Sequence, residues 1–278
     1  MWEGIVATVT SGKGGVGKST FAANFAVALA DLEKKVLLID FDIGLRNLDM
    51  ILGLENRVVY NIIDVLNGNV SLEQAIIKDK KNKLLNFLPA SQKDDKTALD
   101  KKKVEELILN AKKKYDYIVI DSPAGIEEGF ENSIYMADMA FVVVNPEVSS
   151  IRDADRAIGI IDSKSKKSAE GKDVNKYIVI NRYDQKMADS GNIIQIEDIE
   201  DILALPLASI IPADDGVIQS TNEGVPIYYN KNSQFRESIL SLVNRIENDE
   251  VEIIDPQMLL PKEKGFVGKL FGNMFKGK

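Results

Sequence analysis

The chain has 278 residues, 45% of them apolar, enough for one large α/β domain or two small ones, and no Pro/Gly/Ser-rich linker divides it. Its 35 basic and 43 acidic residues leave a net charge of -8, which argues against a protein whose whole surface seeks nucleic acid. Cysteine and histidine are absent, so disulfides, thiolate metal sites and imidazole acid–base chemistry are excluded, and proton transfer falls to carboxylates, lysines, amides or metal-bound water.

The opening "MWEGIVATV" has no basic region leading into a signal-type apolar core, and no apolar run reaches membrane-spanning length; a cytoplasmic protein, soluble at least part of the time, is expected. "GIVATV" (4–9) reads as a strand, followed by "SGKGGVGKST" (11–20). Gly12 to Ser19 fit the phosphate-loop pattern G-x-x-x-x-G-K-[ST] between a strand and a helix. The loop through Gly14, Gly15, Val16, Gly17 and Thr20 would turn its backbone N–H groups toward phosphates. Lys18 would reach the outer phosphates and the Ser19 hydroxyl would ligate Mg²⁺. Lys13, a second lysine in the loop, is not needed for that purpose and could simply be solvated.

Helical spacing follows at 19–35, then a strand at 35–40 that ends "LLIDFDIGLRNLD". Asp40 and Asp42, two apart at a strand end, both project toward one site if the chain stays extended; one would hold a metal-bound water and the other orient an attacking water. Standing alone, they would read as turn aspartates. A strand at 84–90 and a helix at 101–114 precede "YIVIDSPAG", whose strand (117–121) places Asp121 at its mouth, suited to a water of the Mg²⁺ shell. Strands at 140–144, 177–181 and 207–212 surround a helix at 149–167, which carries Asp153 and Asp155 in what reads as its first turn. Apolar strands alternating with helices indicate a doubly wound, mostly parallel α/β sheet with helices on both faces, of the P-loop NTPase type, binding ligands at the strands' carboxyl ends.

"KGGVGKST" resembles the deviant Walker A motif K-G-G-x-G-K-[ST] of the MinD/ParA group of P-loop ATPases, and "DFDIGLRNLD", "LPASQ", "DSPAGIE" and "NPEVSSIRDADR" are similar to the MinD branch over nearly the whole chain. The resemblance implies hydrolysis of ATP to ADP and phosphate with Mg²⁺, an ATP-dependent homodimer, and Lys13 reaching across it to the other subunit's phosphates, as an arginine finger does. It makes Lys13, Lys18 and Asp42 the catalytic set, Ser19 the direct metal ligand, and Asp40 and Asp121 its outer partners. Asn181, with Arg182 beside it, would read adenine together with backbone from Pro212 to Asp214, although Asn181 could equally be a strand-end turn residue. Septum placement, recruitment of the division inhibitor MinC, and MinE or another topological factor as stimulator are implied too. Asp153 and Asp155 resemble the partner-binding surface, though helix capping would also account for them. A flagellar-number ATPase of the same group and a ParA-like DNA-partitioning ATPase are the alternatives; the net charge disfavours the latter.

We divide the chain into an ATPase domain (1–250) and a tail (251–278). In "PKEKGFVGKLFGNMFKGK", five lysines and one glutamate accompany Phe266, Val267, Leu270, Phe271, Met274 and Phe275 at helical spacing over about 264–276. Such a stripe could pack on the protein's own core, but phenylalanines beside lysines suit an anionic lipid surface better, and the resemblance implies a membrane-targeting helix. One such tail binds marginally, while two held in a dimer gain ~10²-fold or more in avidity. Nucleotide state would then decide residence on the cytoplasmic face of the inner membrane.

Overall fold

The computed structural model describes residues 3–251, apart from 46, 95–98 and 127–128. β1 (Ile5–Thr10) turns into α1 (Lys18–Asp31), and β2 (Val36–Asp40) leads through the short helices α2 (Leu48–Leu52), α3 (Ile62–Leu66) and α4 (Leu72–Ala75) to β3 (Ile77–Lys78) and β4 (Leu85–Leu88). α5 (Lys101–Lys112), β5 (Tyr117–Asp121), α6 (Phe130–Ile134) and β6 (Met139–Val144) follow, then α7 (Val148–Lys164) and α8 (Lys166–Ala169). β7 (Asn175–Tyr183), α9 (Gln185–Asp189), α10 (Ile196–Leu203), β8 (Leu207–Pro212), α11 (Gly216–Asn222) and α12 (Gln234–Glu247) end the series.

The strands form one eight-stranded sheet in the order β3-β4-β2-β5-β1-β6-β7-β8, parallel except for the edge strand β3. Side-chain alternation divides the apolar runs between the two faces. Val9, Leu38, Val119 and Phe141 pack against α1 and α12 on one face. On the other, Leu37, Ile39, Ile118 and Ile120 pack against α3 and α5, while Val142, Ile178 and Ile180 meet α7 and α10. α1 is buried from Phe21 to Ala30 on nearly every side, which its alanines permit. Its one interior amide, Asn24, donates to Thr20 O (2.7 Å) and accepts from Tyr228 N (2.8 Å), so its burial leaves neither group unpaired.

At the opposite end of the sheet from the loop, Asp138 accepts from Val6 N (3.0 Å) and Lys112 Nζ (2.8 Å) and pairs with Lys167 (3.3 Å), joining β1, α5 and α8. Burial alone would push its carboxyl up, but these hydrogen bonds and charges hold it below its ordinary value.

The expected strands are present with ends moved by a residue or two; 177–181 lengthens at both ends to β7 (Asn175–Tyr183), and 84–90 shortens to β4 (Leu85–Leu88). Pro89 has no N–H for the ladder, and its carbonyl accepts instead from Ile62 N (2.9 Å). The 19–35 helix stops at Asp31, before Glu33 turns to a φ of 62°. The 149–167 helix breaks at Ser165, whose hydroxyl caps α8 through Ser168 N (3.2 Å). α7 itself begins at Val148, so Asp153 and Asp155 lie beyond its first turn, which holds no acid. Capping and dipole complementarity therefore do not account for them.

Candidate functional site

The loop after β1 takes shapes that demand glycine. Gly15 and Gly17 have φ of 80° and 95°, in the left-handed region that side-chain-bearing residues avoid. Gly12 needs its missing side chain for another reason: a Cβ there would lie 1.9 Å from the backbone oxygen of Asp153, so the loop rests directly on α7. At Gly17 a Cβ would come within 2.2 Å of Asn181 Nδ2, and that nitrogen donates to Val16 O (2.7 Å). The loop is thus held between α7 and the end of β7. Among the described residues no side chain caps the N-terminus of α1 and no acid occupies its first turn, so its leading amides face an anion site.

Strand register brings the carboxylates together: Asp40 and Asp121 are paired neighbours at the ends of β2 and β5. Lys18 Nζ lies 2.6 Å from Asp121 Oδ1 with both groups buried, and 3.5 Å from Ser19 Oγ. Asp42 is also buried, and its N–H donates to Asp40 Oδ1 (2.9 Å). Burial, then the neighbouring Asp121 charge, raises the Asp40 carboxyl well above its ordinary value, against the opposing effects of the Asp42 N–H and Lys18. The other oxygen, Asp40 Oδ2, accepts no hydrogen bond from the described residues. This donor set suits Mg²⁺. It consists of hard oxygens from one hydroxyl and two carboxylates, and that ion commonly takes one or two protein ligands and completes its shell with water and phosphate. No cluster of three acidic ligands exists among the described residues, and such an ion requires none.

Two clefts meet here. One, about 410 Å³, is lined by Lys13 to Gly15 and Gly17 to Thr20 of the loop together with Asp42, Asn47, Met50 and Thr221. The other, about 370 Å³, is lined by Gly17, Thr20, Asn181, Arg182, Pro212, Asp214 and Phe235. Asp214 turns its carboxylate inward, accepting from Gly216 N (2.9 Å) and from Ser233 Oγ (2.7 Å) at the start of α12, so the side chain shapes the loop. Lys13 Nζ rests within its own chain against Ser149 Oγ (3.0 Å) and Glu147 Oε2 (3.4 Å).

The sequence therefore pointed to residues that the fold assembles: Gly12 to Thr20, Asp40, Asp42, Asp121, Asn181, Arg182, Pro212 and Asp214 share one end of the sheet. Asp153 and Asp155 lie on α7, half-buried and exposed respectively; the Asp153 backbone touches the loop at Gly12, but neither residue lines these two clefts. The stripe from Phe266 to Phe275 lies outside the described residues. Glu147 and Ser149, the partners of Lys13, went unnoticed within "NPEVSS", as did Asn47 and Thr221; no local pattern marks a residue that reaches the cleft only through tertiary placement.

A glycine-shaped loop between a central parallel strand and an uncapped helix, with its lysine against a strand-end aspartate, defines a P-loop NTPase. Residues 4–174 match the family model described as an AAA domain. The septum site-determining protein MinD of Helicobacter pylori is 52% identical over 268 residues, covering 96% of this chain and 98% of that one. Among solved structures, the MinC:MinD cell division protein complex of Aquifex aeolicus aligns with a TM-score of 0.78 at 45% identity, covering 90% of this chain and 99% of the other. MinD from Pyrococcus horikoshii complexed with Mg-ADP aligns with a TM-score of 0.75 at 30% identity, covering 90% and 99%. The chain belongs to the MinD family of septum site-determining proteins.

Proposed function

We propose that this protein hydrolyses ATP with Mg²⁺ as a switch: it dimerises with ATP, binds the membrane through its tail, and recruits MinC to control septum placement. The observation that carries the reading is the buried Lys18–Asp121 pair at 2.6 Å beside the uncapped start of α1, where a cation, a carboxylate and free amides converge. The loop amides and Lys18 hold the phosphates. Ser19 holds the metal directly, and Asp40 and Asp121 hold waters around it; when bound, Mg²⁺ neutralises charge on the outer phosphates. Asp42, buried at the lip of the same cleft, orients the attacking water. The second cleft takes the adenine, with Asn181, Pro212 and Asp214 as its wall and Arg182 at the rim. Lys13, half-buried in the loop, supplies a cation to the partner copy's phosphates.

The A. aeolicus complex supports MinC as a partner, and the exposed Asp155 on α7 is the contact we assign to it, together with Asp153. No helix among the described residues is long and apolar enough to cross a membrane, so attachment falls to the tail, which we treat as separate from the ATPase domain (1–250). MinE or another topological factor stimulates release. The test is gel filtration with phosphate release measured in parallel: ATP should produce a dimer and slow turnover, and ADP a monomer. A monomer with both nucleotides, or no turnover, would sink the reading.

A further inference from the structure

Arg182 has a backbone that its neighbours do not explain. Its φ is 57°, which an arginine adopts only against a preference that glycine lacks. It lies where the β7–β8 pairing breaks register, between Asn181, which faces Ile211, and Tyr183, which faces Pro212. The residue is a bulge, and its effect is to throw the side chain outward: Arg182 is exposed while Asn181 and Tyr183 are buried. Strained residues of this kind persist where the surrounding structure holds them, and they cluster at ligand sites.

The bulge also sets where the side chain goes. Arg182 lines both the phosphate cleft and the base cleft, sharing that position with Gly17 and Thr20. Chemically, the part of a nucleotide between its base and its outer phosphates is the ribose and the α-phosphate, and only the second carries charge. The guanidinium is available for it. Among the described residues no ion pair engages Arg182; of the carboxylates around it, Asp214 serves Gly216 N and Ser233 Oγ, Asp184 serves Lys186 N and Met187 N, and Glu147 serves Lys13, while Asp215, in the same cleft, makes no ion pair with it. A planar cation with several fixed donors suits a phosphate better than it suits the rim of an adenine pocket.

We propose that Arg182 is the α-phosphate contact of the nucleotide site, and that the strained bulge exists to bring its guanidinium there. The proposal rests on the nucleotide-binding reading above and changes Arg182 from a base-side residue to a phosphate-side one.

Binding of ADP, AMP and adenosine to the full chain with Mg²⁺, measured by competition against a fluorescent ADP, tests it in wild type, R182G and R182K. R182G removes the guanidinium and relieves the backbone, so its Tm should not fall. Its affinity for ADP and for AMP should drop about tenfold or more, the loss of a charge-assisted hydrogen bond, while adenosine binds as in wild type. R182K, which keeps the charge without the planar fork, should fall between the two. Unchanged ADP affinity in R182G overturns the proposal, and so does an equal loss for adenosine, which would make Arg182 a base contact. A wild-type chain that binds no nucleotide would instead refute the parent reading, so the two failures are distinguishable.

Discussion

Replacing Gly12 with alanine probes the seat of the phosphate loop without removing any group that touches a phosphate. A Cβ at this position would lie 1.9 Å from Asp153 O, 2.0 Å from Asp153 C and 2.6 Å from Ala154 N. All three are backbone atoms in the interior of α7, so no side chain can swing aside. Ordinary contact begins at 3.4 Å, so with 1.9 Å available the loop and helix must part by about 1.5 Å. Overpacking of this kind costs roughly 1–3 kcal/mol, and for a domain of this size each kcal/mol lowers Tm by roughly 2–4 °C. The functional loss should be larger, because a displacement near 1 Å in groups that position a reacting phosphate costs on the order of 10²-fold in rate. Single-turnover ATP hydrolysis below the variant's Tm, with circular dichroism to confirm folding, measures both. A folded G12A that hydrolyses at the wild-type rate would refute the argument that contact with α7 sets the loop.

D42A should bind ATP nearly as wild type does and slow single-turnover hydrolysis by about 10²-fold, accumulating as a dimer, because a group that orients water makes little ground-state contact; an unchanged rate removes Asp42 from the mechanism. K18A strands the Asp121 carboxylate in a buried site and should lower stability in urea by about 3 kcal/mol. Adding D121N should restore much of that loss, and a double variant no more stable than K18A would contradict the buried-pair account. For Asp138 the folded carboxyl sits below its ordinary value of 3.8, so its stabilisation is present above that pH and is lost as pH falls through the folded value. D138N should therefore be less stable than wild type at pH 7, by about 1–3 kcal/mol, with the gap closing only in acid below roughly pH 4; a gap that instead widened in acid would reverse the sign of the argument.

What could be read in advance depended on whether a feature was local. Runs such as "YIVID" and "AFVVV" announce buried parallel strands because both faces of the sheet are covered, and the phosphate loop announces itself because its glycines answer to backbone geometry. β3 escaped notice because two residues carry no periodicity, and its pairing with β4 is a tertiary event. The helix at 149–167 was placed within a residue of the start of α7, but Asp153 and Asp155 were assigned to a first turn they lie beyond, since Asp153 is five residues past Val148. Asp214 lines the cleft beside Asn181 and Pro212, but its carboxylate serves Ser233, 19 residues along the chain, a partner that only folding supplies. The bulge at Arg182 was invisible for the same reason: a break in register belongs to two strands.

The central claim is that ATP, through dimerisation, controls membrane residence, and co-sedimentation with vesicles containing phosphatidylglycerol tests it most directly. With Mg-ATP the wild-type chain should pellet with the vesicles, and with Mg-ADP it should remain in the supernatant. F271E, which puts a charge into the apolar stripe, should stay soluble with either nucleotide while keeping its Tm and its ATP-driven dimer. Wild-type protein that pellets equally with ATP and ADP, or with neither, would contradict the account.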